Sequence, residues 1–216
     1  MKKAVIFDLD GTLLDTFADL KDAINNMLGF YNFPLADSKL VRDSIGYGAY
    51  KFVENVLPAE KKSDVKFYHK KYEEFYNGSG YPKTRLFDGI DKLLLELNSK
   101  GIKICILSNK PHHSTVKNVE KYLKDYNVDF VLGYKEEVGA KPDPKCIEYV
   151  LENLKLDKKD VVMVGDGETD VEVSKNAGVD GIFVLWGYRD KEVLESSGGK
   201  LFVKNAKDLL DKILSL

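Results

Sequence analysis

Two aspartates one residue apart close the first apolar run of the chain: Val5, Ile6 and Phe7 lead directly into Asp8, Leu9 and Asp10, then Gly11 and Thr12. An ionised carboxylate buried without a partner is very costly, so the pair lies in a wet turn or meets positive charge. In extended backbone residues i and i+2 point to the same side, and Asp8 and Asp10 can share one reacting centre. Similar residues recur further on: Ser108, Asn109 and Lys110 in "LSNK", Lys141 in "KPDP", and Asp166 and Asp170 in "GDGETD". Three or four carboxylates without histidine or cysteine make an oxygen-rich site suited to a hard cation such as Mg²⁺. Lysine and hydroxyl donors opposite such a cation suit a phosphoryl group. One aspartate can then attack phosphorus, and a second can protonate the leaving oxygen and later deprotonate water.

Positioning these residues falls to short apolar runs at 3–7, 102–107, 128–132, 161–164 and 182–185. None alternates strictly with polar residues, which fits strands covered on both faces. Helical spacing lies between them: Ile90, Leu93, Leu94 and Leu97; Ile147, Val150, Leu151 and Leu154; Ala206, Leu209, Leu210 and Ile213. Asp143 reads as the N-cap of the second of these helices and Pro144 as its first residue. Strands alternating with helices predict an α/β fold, a Rossmann-like parallel sheet flanked by helices. The acids, the hydroxyl and the lysines all follow predicted strands, and open α/β sheets bind ligands beyond the carboxyl ends of their strands.

Residues 17–82 break the alternation. Helical faces follow one another there (Phe17, Leu20, Ile24, Met27; Phe52, Val53, Val56, Leu57; Tyr68, Tyr72, Phe75, Tyr76) without a convincing strand. The stretch is too long for an ordinary crossover and too patterned for a floppy loop. It is read as a small helical cap, 17–82, inserted after the first strand into a core of 1–16 and 83–216.

With 33 Lys+Arg against 35 Asp+Glu, charge gives no case for nucleic acid or membrane binding. No apolar run approaches the roughly 18 residues of a membrane span, and the basic start "MKK" precedes too short an apolar stretch for a signal peptide. Cys105 and Cys146 sit in an apolar run and a helical pattern, as packing residues do. A cytoplasmic protein, monomeric or homodimeric, is expected.

"FDLDGTLLDT", "LSNK", "KPDP" and "VGDGETD", in this order, resemble the four motifs of the haloacid dehalogenase superfamily on its phosphatase side. The resemblance spans essentially the whole chain, the helical insertion matching that superfamily's mobile cap. It implies that Asp8 is the nucleophile and Asp10 the general acid/base. It further implies that Asp8, the backbone carbonyl of Asp10 and Asp166 hold Mg²⁺, with Asp170 beside them. Ser108 and Asn109 would bind phosphate oxygens, and Lys141 would neutralise the phosphoryl group and Asp8. "VRDSIGYGAYKFVENVL", "SNKP" and "WGYRD" are most similar to the phosphoglycolate phosphatases. That likeness implies that Arg42, Gly46 and Tyr47 face a small phosphate ester from the cap, with Lys110 at the pocket mouth.

A sugar phosphomutase, pyrophosphatase or nucleotidase would use the same reacting residues; "DTFADLKDAINN" lacks the cap histidine usual in such phosphomutases. A phospho-accepting signalling domain is disfavoured by chain length and by the acids' place after the first strand. His112 and His113 diverge on a helix and lack a third ligand, so they read as solvated. His69 reads as cap surface, the tyrosine stripe as cap core, Thr12 as a support, and Glu168 and Glu172 as solvated helix-start acids. Trp186 fits either the cleft rim or the core.

Overall fold

A computed structural model of the chain describes residues 2–216; Met1, which opens the expected core span 1–16, lies outside the described residues. The first apolar run forms β1 (Ala4–Phe7), and a two-residue strand, β2 (Leu14–Asp15), follows it. Four helices come next: α1 (Phe17–Phe30), α2 (Ser38–Ser44), α3 (Ala49–Val56) and α4 (Val65–Gly78). The chain returns through β3 (Arg85–Leu86) to α5 (Ile90–Ser99), β4 (Lys103–Pro111), α6 (His112–Tyr122) and β5 (Phe130–Tyr134). It ends with α7 (Lys145–Leu154), β6 (Val161–Gly165), α8 (Glu168–Ala177), β7 (Asp180–Val184), α9 (Lys191–Ser196), β8 (Phe202–Val203) and α10 (Ala206–Ser215).

Six strands make one sheet in the order β5-β4-β1-β6-β7-β8, every neighbouring pair parallel. Side chains alternate along a strand. Val5 and Phe7 therefore enter one apolar cluster with Leu94 of α5 and Ile213 of α10. Ala4 and Ile6 enter the opposite one with Ile147 of α7 and Val173 of α8. The sheet is covered on both faces, which is why its strands read as unbroken apolar runs. Three strands escaped the sequence reading. β2, β3 and β8 hold two residues each, too few for a periodicity. α7 begins one residue later than expected: Pro144 precedes it, and Asp143 Oδ1 accepts the Lys145 N–H at 3.0 Å.

β1 pairs β4 on one side and β6 on the other, with Phe7 opposite both Ile106 and Val164. Just past these positions come Asp8, Ser108 and Asp166, so register alone delivers three of the motifs to one edge. The chain crosses from one side of β1 to the other between β5 and β6. That reversal makes the crevice at the ends of β1 and β6 the favoured ligand position of an open α/β sheet, and Lys141 lies on the crossing connection.

Helices α1–α4 surround a second apolar cluster that includes Met27, Phe52, Tyr72 and Tyr76. The two segments joining them to the core are bound into one stalk. Leu14 and Asp15 pair antiparallel with Leu86 and Arg85, and Arg85 Nη2 meets Asp15 Oδ2 at 2.8 Å. Asp19, buried in the first turn of α1, accepts the Lys83 N–H at 3.1 Å and the Thr84 N–H and hydroxyl at 2.6 Å. Asp19→Ala leaves those donors unpaired, and such a loss costs roughly 1–3 kcal/mol. Urea unfolding is expected to show that decrease; an unchanged midpoint would show that the stalk does not depend on Asp19.

Candidate active site

Lys141 is the hub of the strand-end cluster. Its side chain, 2% exposed, reaches Asp8 Oδ1 and Asp170 Oδ1, each at 2.6 Å. Burial opposes its charge, but Asp170 and Asp8 outweigh that and hold the lysine above its ordinary range. Asp170 also serves its own helix: its Oδ2 accepts the Gly167 N–H at 2.9 Å at the start of α8. One carboxylate thus fixes the helix and the lysine together.

Asp166 is held by a hydrogen bond to each oxygen. Oδ1 accepts the Thr12 hydroxyl and Oδ2 the Tyr188 N–H, both at 2.8 Å. Glycine is required where backbone passes this carboxylate. A Cβ on Gly11, whose φ is +89°, or on Gly187 would lie 2.3 Å from Asp166 side-chain atoms. Thr12 thus has the supporting role read from the sequence. Trp186 is half-buried against the core, its indole N–H donating to the Thr12 carbonyl at 3.1 Å. It packs beneath the site, which resolves the alternative left open for it.

Asp10 turns away from the cluster: both its oxygens meet Lys110 Nζ at 2.6 Å. Any part Asp10 takes in metal binding falls to its carbonyl, as the resemblance implies. Lys110, 7% exposed, lies 4.9 Å from the Tyr76 ring centroid on the cap. Ser108 is buried, its Oγ accepting the Lys110 N–H at 3.2 Å. The side chain of Asn109, a residue expected to bind phosphate, is engaged within the protein. Its amide accepts the Lys141 N–H at 2.8 Å and donates to the Lys141 and Gly46 carbonyls at 2.9 Å each. That side chain positions Lys141 and touches the cap, leaving its amide committed.

The acids, Ser108 and Lys110 open onto a cavity of about 70 Å³ between core and cap, to which the cap contributes Ile45, Gly46, Phe52, Tyr72 and Tyr76. The two tyrosines thus serve both cap core and cavity wall. Gly46 lines the cavity as expected, but Arg42 and Tyr47 do not. Arg42 is exposed, its guanidinium 5.3 Å from the Phe17 ring centroid, and Tyr47, 45% exposed, borders a neighbouring cleft. His69 is buried, stacked on Tyr50 with centroids 3.9 Å apart, because α3 covers that face of α4. His113 is exposed, while His112 Nδ1 accepts the Gly133 N–H at 3.1 Å. Sequence reasoning missed Arg189 and the pairing of Glu168 with it: Arg189 Nε donates to Glu168 Oε2 at 2.8 Å. The available signal was its place in "WGYRD", directly after a predicted strand.

Asp8, Asp166 and Asp170 each offer an oxygen within 4.8 Å of the others. Against one ammonium, three ionised carboxylates leave two negative charges in a buried site. Burial, with Asp170 and Asp166, pushes Asp8 well above the ordinary carboxylate range, while Lys141 opposes the shift. Burial and Asp170 raise Asp166 to about 7. The donor set therefore fits a hard divalent cation, which would restore neutrality. Without metal, these acids bind protons more readily in the folded than in the unfolded chain, so stability falls as pH rises from the ordinary carboxylate value toward 7. Melting temperature of the metal-free protein is expected to drop between about pH 5 and 8, with the drop lessened by Mg²⁺ or Asp166→Asn. A melting temperature that rises over that interval would contradict the charge balance.

Comparison with known proteins agrees with the geometry. Residues 5–184 match the family model for haloacid dehalogenase-like hydrolases. The phosphoglycolate phosphatase of Vibrio cholerae is 27% identical over 219 residues, covering 98% of this chain and 97% of that protein. That of Psychrobacter arcticus is 30% identical over 202 residues, covering 87% and 85%. A crystal structure from Lactobacillus delbrueckii subsp. bulgaricus, of a protein provisionally named phosphoglycolate phosphatase, superposes with a TM-score of 0.91 at 29% identity, covering 99% of each chain. This chain belongs to the haloacid dehalogenase-like hydrolase family and is one of its phosphatases.

Proposed function

We propose that the protein is a Mg²⁺-dependent phosphomonoesterase that works through an aspartyl-phosphate and takes 2-phosphoglycolate as its substrate. The observation that carries this reading is the Asp8, Lys141, Asp170 and Asp166 cluster, short of two positive charges, facing a cavity under the cap beside Asp10. The substrate assignment is supported by the names of the relatives and by Lys110, a buried cation lining the cavity.

Asp8, Asp166 and Asp170, with the Asp10 carbonyl, would hold the metal, which when bound supplies positive charge to the phosphoryl oxygens and to the attacking carboxylate. Asp8 attacks phosphorus; Lys141, fixed by Asn109 and Asp170, balances charge on Asp8 and on the transferred group. Ser108 lies where a hydroxyl donor can meet a phosphate oxygen. Lys110 orients Asp10, which protonates the departing alkoxide and then takes a proton from the water that cleaves the acyl phosphate. Lys110 is also the buried cation available to the carboxylate of a phosphoglycolate. The cap, with Tyr72 and Tyr76 in its wall, excludes bulk water and strengthens these electrostatic contacts.

Phosphate release should be measured from 2-phosphoglycolate, sugar phosphates, nucleotides and pyrophosphate, with Mg²⁺ and with EDTA. Expected is metal-dependent turnover with the highest kcat/KM on 2-phosphoglycolate, abolished by Asp8→Asn in a folded protein. Preference for another ester would replace the substrate and keep the chemistry. Undiminished metal-dependent activity in Asp8→Asn would remove the nucleophile assignment.

A further inference from the structure

Arg189 has an unusual set of partners for an arginine that borders an anion-binding cavity. Its side chain is 9% exposed, and four of its N–H groups are already engaged. Nη1 donates to the Arg42 carbonyl at 2.8 Å, and Nη2 to the carbonyls of Asp43 at 3.2 Å and Ile45 at 2.6 Å. Nε donates to Glu168 Oε2 at 2.8 Å. A guanidinium has five donors in all, so this one has little left for a substrate. The three carbonyls cluster at the C-terminal end of α2 on the cap, Arg42 and Asp43 in its last turn and Ile45 just beyond it, where a helix favours a cation. Glu168 opens α8 on the core, two residues before Asp170.

We propose that Arg189 is a latch that holds the cap closed over the acids, a positioning residue rather than a catalytic one. The bonds it makes are directional and are lost together when the cap swings away, and water can take over each carbonyl, the carboxylate and the guanidinium in the open form. The neighbouring residue ties the latch to the reaction site. Tyr188 donates its N–H to Asp166 and packs its ring in the cap cluster. Its hydroxyl accepts the Thr16 N–H at 2.8 Å in the stalk. Asn109 makes a further polar link on this side, to the Gly46 carbonyl, while Ser114 and His113 meet Asn77 of the cap at its other side. Segment 187–189 thus touches the cap, the stalk and Asp166 together, so that closing the cap and seating Asp166 become one event. The consequence for turnover rests on the phosphatase reading; the latch itself does not.

The test uses full-length protein carrying spin labels at Lys51→Cys on the cap and Glu136→Cys on the core, both exposed; Lys51 lines the cleft beside the cavity, and Glu136 lies two residues past Tyr134, which lines it from the core. Both native cysteines are buried and out of reach of the label. The parent is expected to show a narrow inter-label distance, which Arg189→Met lengthens and broadens, Arg189→Lys does partly, and Glu168→Gln does less. Circular dichroism checks that each variant is folded at the assay temperature. In kinetics with 2-phosphoglycolate, a tenfold loss of the closed population raises KM by about tenfold with a smaller change in kcat. Unchanged distances in both Arg189 variants would overturn the latch, as would a fall in kcat at constant KM. Were the parent to hydrolyse no ester, the function proposed above would fall while the distance measurement still decided the latch.

Discussion

Three carboxylates gathered around a single buried ammonium form the constraint on which the rest of this molecule depends. Lys141 sits between Asp8 and Asp170 at 2.6 Å from each, with Asp166 beside them. Removing one partner from a buried ion pair typically costs about 3–5 kcal/mol, so the backbone around the cluster has little freedom. The register of β1 between β4 and β6 sets the depth of Asp8 and Asp166. The amide of Asn109 fixes the main chain at Lys141. Asp170 caps α8 with one oxygen and binds the lysine with the other. The core is therefore built to keep an unbalanced charge in place.

The cap answers to the same cluster. It rests on a stalk of paired linkers closed by Asp19. Over the site it meets the core through aromatic rings and a handful of polar bonds, with Tyr76 over Lys110 and Asn109 on Gly46. A firm base with a lightly bonded rim is the arrangement that a hinged lid needs: the base preserves alignment, and the rim can exchange its bonds for water. Chemistry and access are then governed by adjacent residues on the same loops.

Much of this was legible in the sequence because it rests on local rules. Apolar runs without alternation reported a doubly covered sheet, and the acids that follow them could not be buried without a purpose. What escaped depends on contacts between distant segments. Nothing in "SNK" says that the Asn109 amide will be occupied by Lys141 and Gly46. Nothing near His69 announces that Tyr50, on another helix, covers it. Arg42 reads as a substrate-facing cation, yet its carbonyl, not its guanidinium, is what the core grips, through Arg189. The two-residue strands β2 and β3 carry too little pattern to detect, although they set the stalk. Local chemistry is written in the motif, whereas the direction in which a side chain turns is decided by what folds against it.

The central claim is that Asp8 becomes covalently phosphorylated. Asp10→Asn should be mixed with Mg²⁺ and an ester whose leaving group needs no proton, such as p-nitrophenyl phosphate, then quenched in acid and digested for mass spectrometry. Attack by Asp8 does not need Asp10 there, while hydrolysis of the intermediate does. The account predicts a stoichiometric burst of p-nitrophenol and a phosphoryl group on the peptide that carries Asp8. Steady release without a burst, and an unmodified peptide throughout, would show direct attack by water and contradict it.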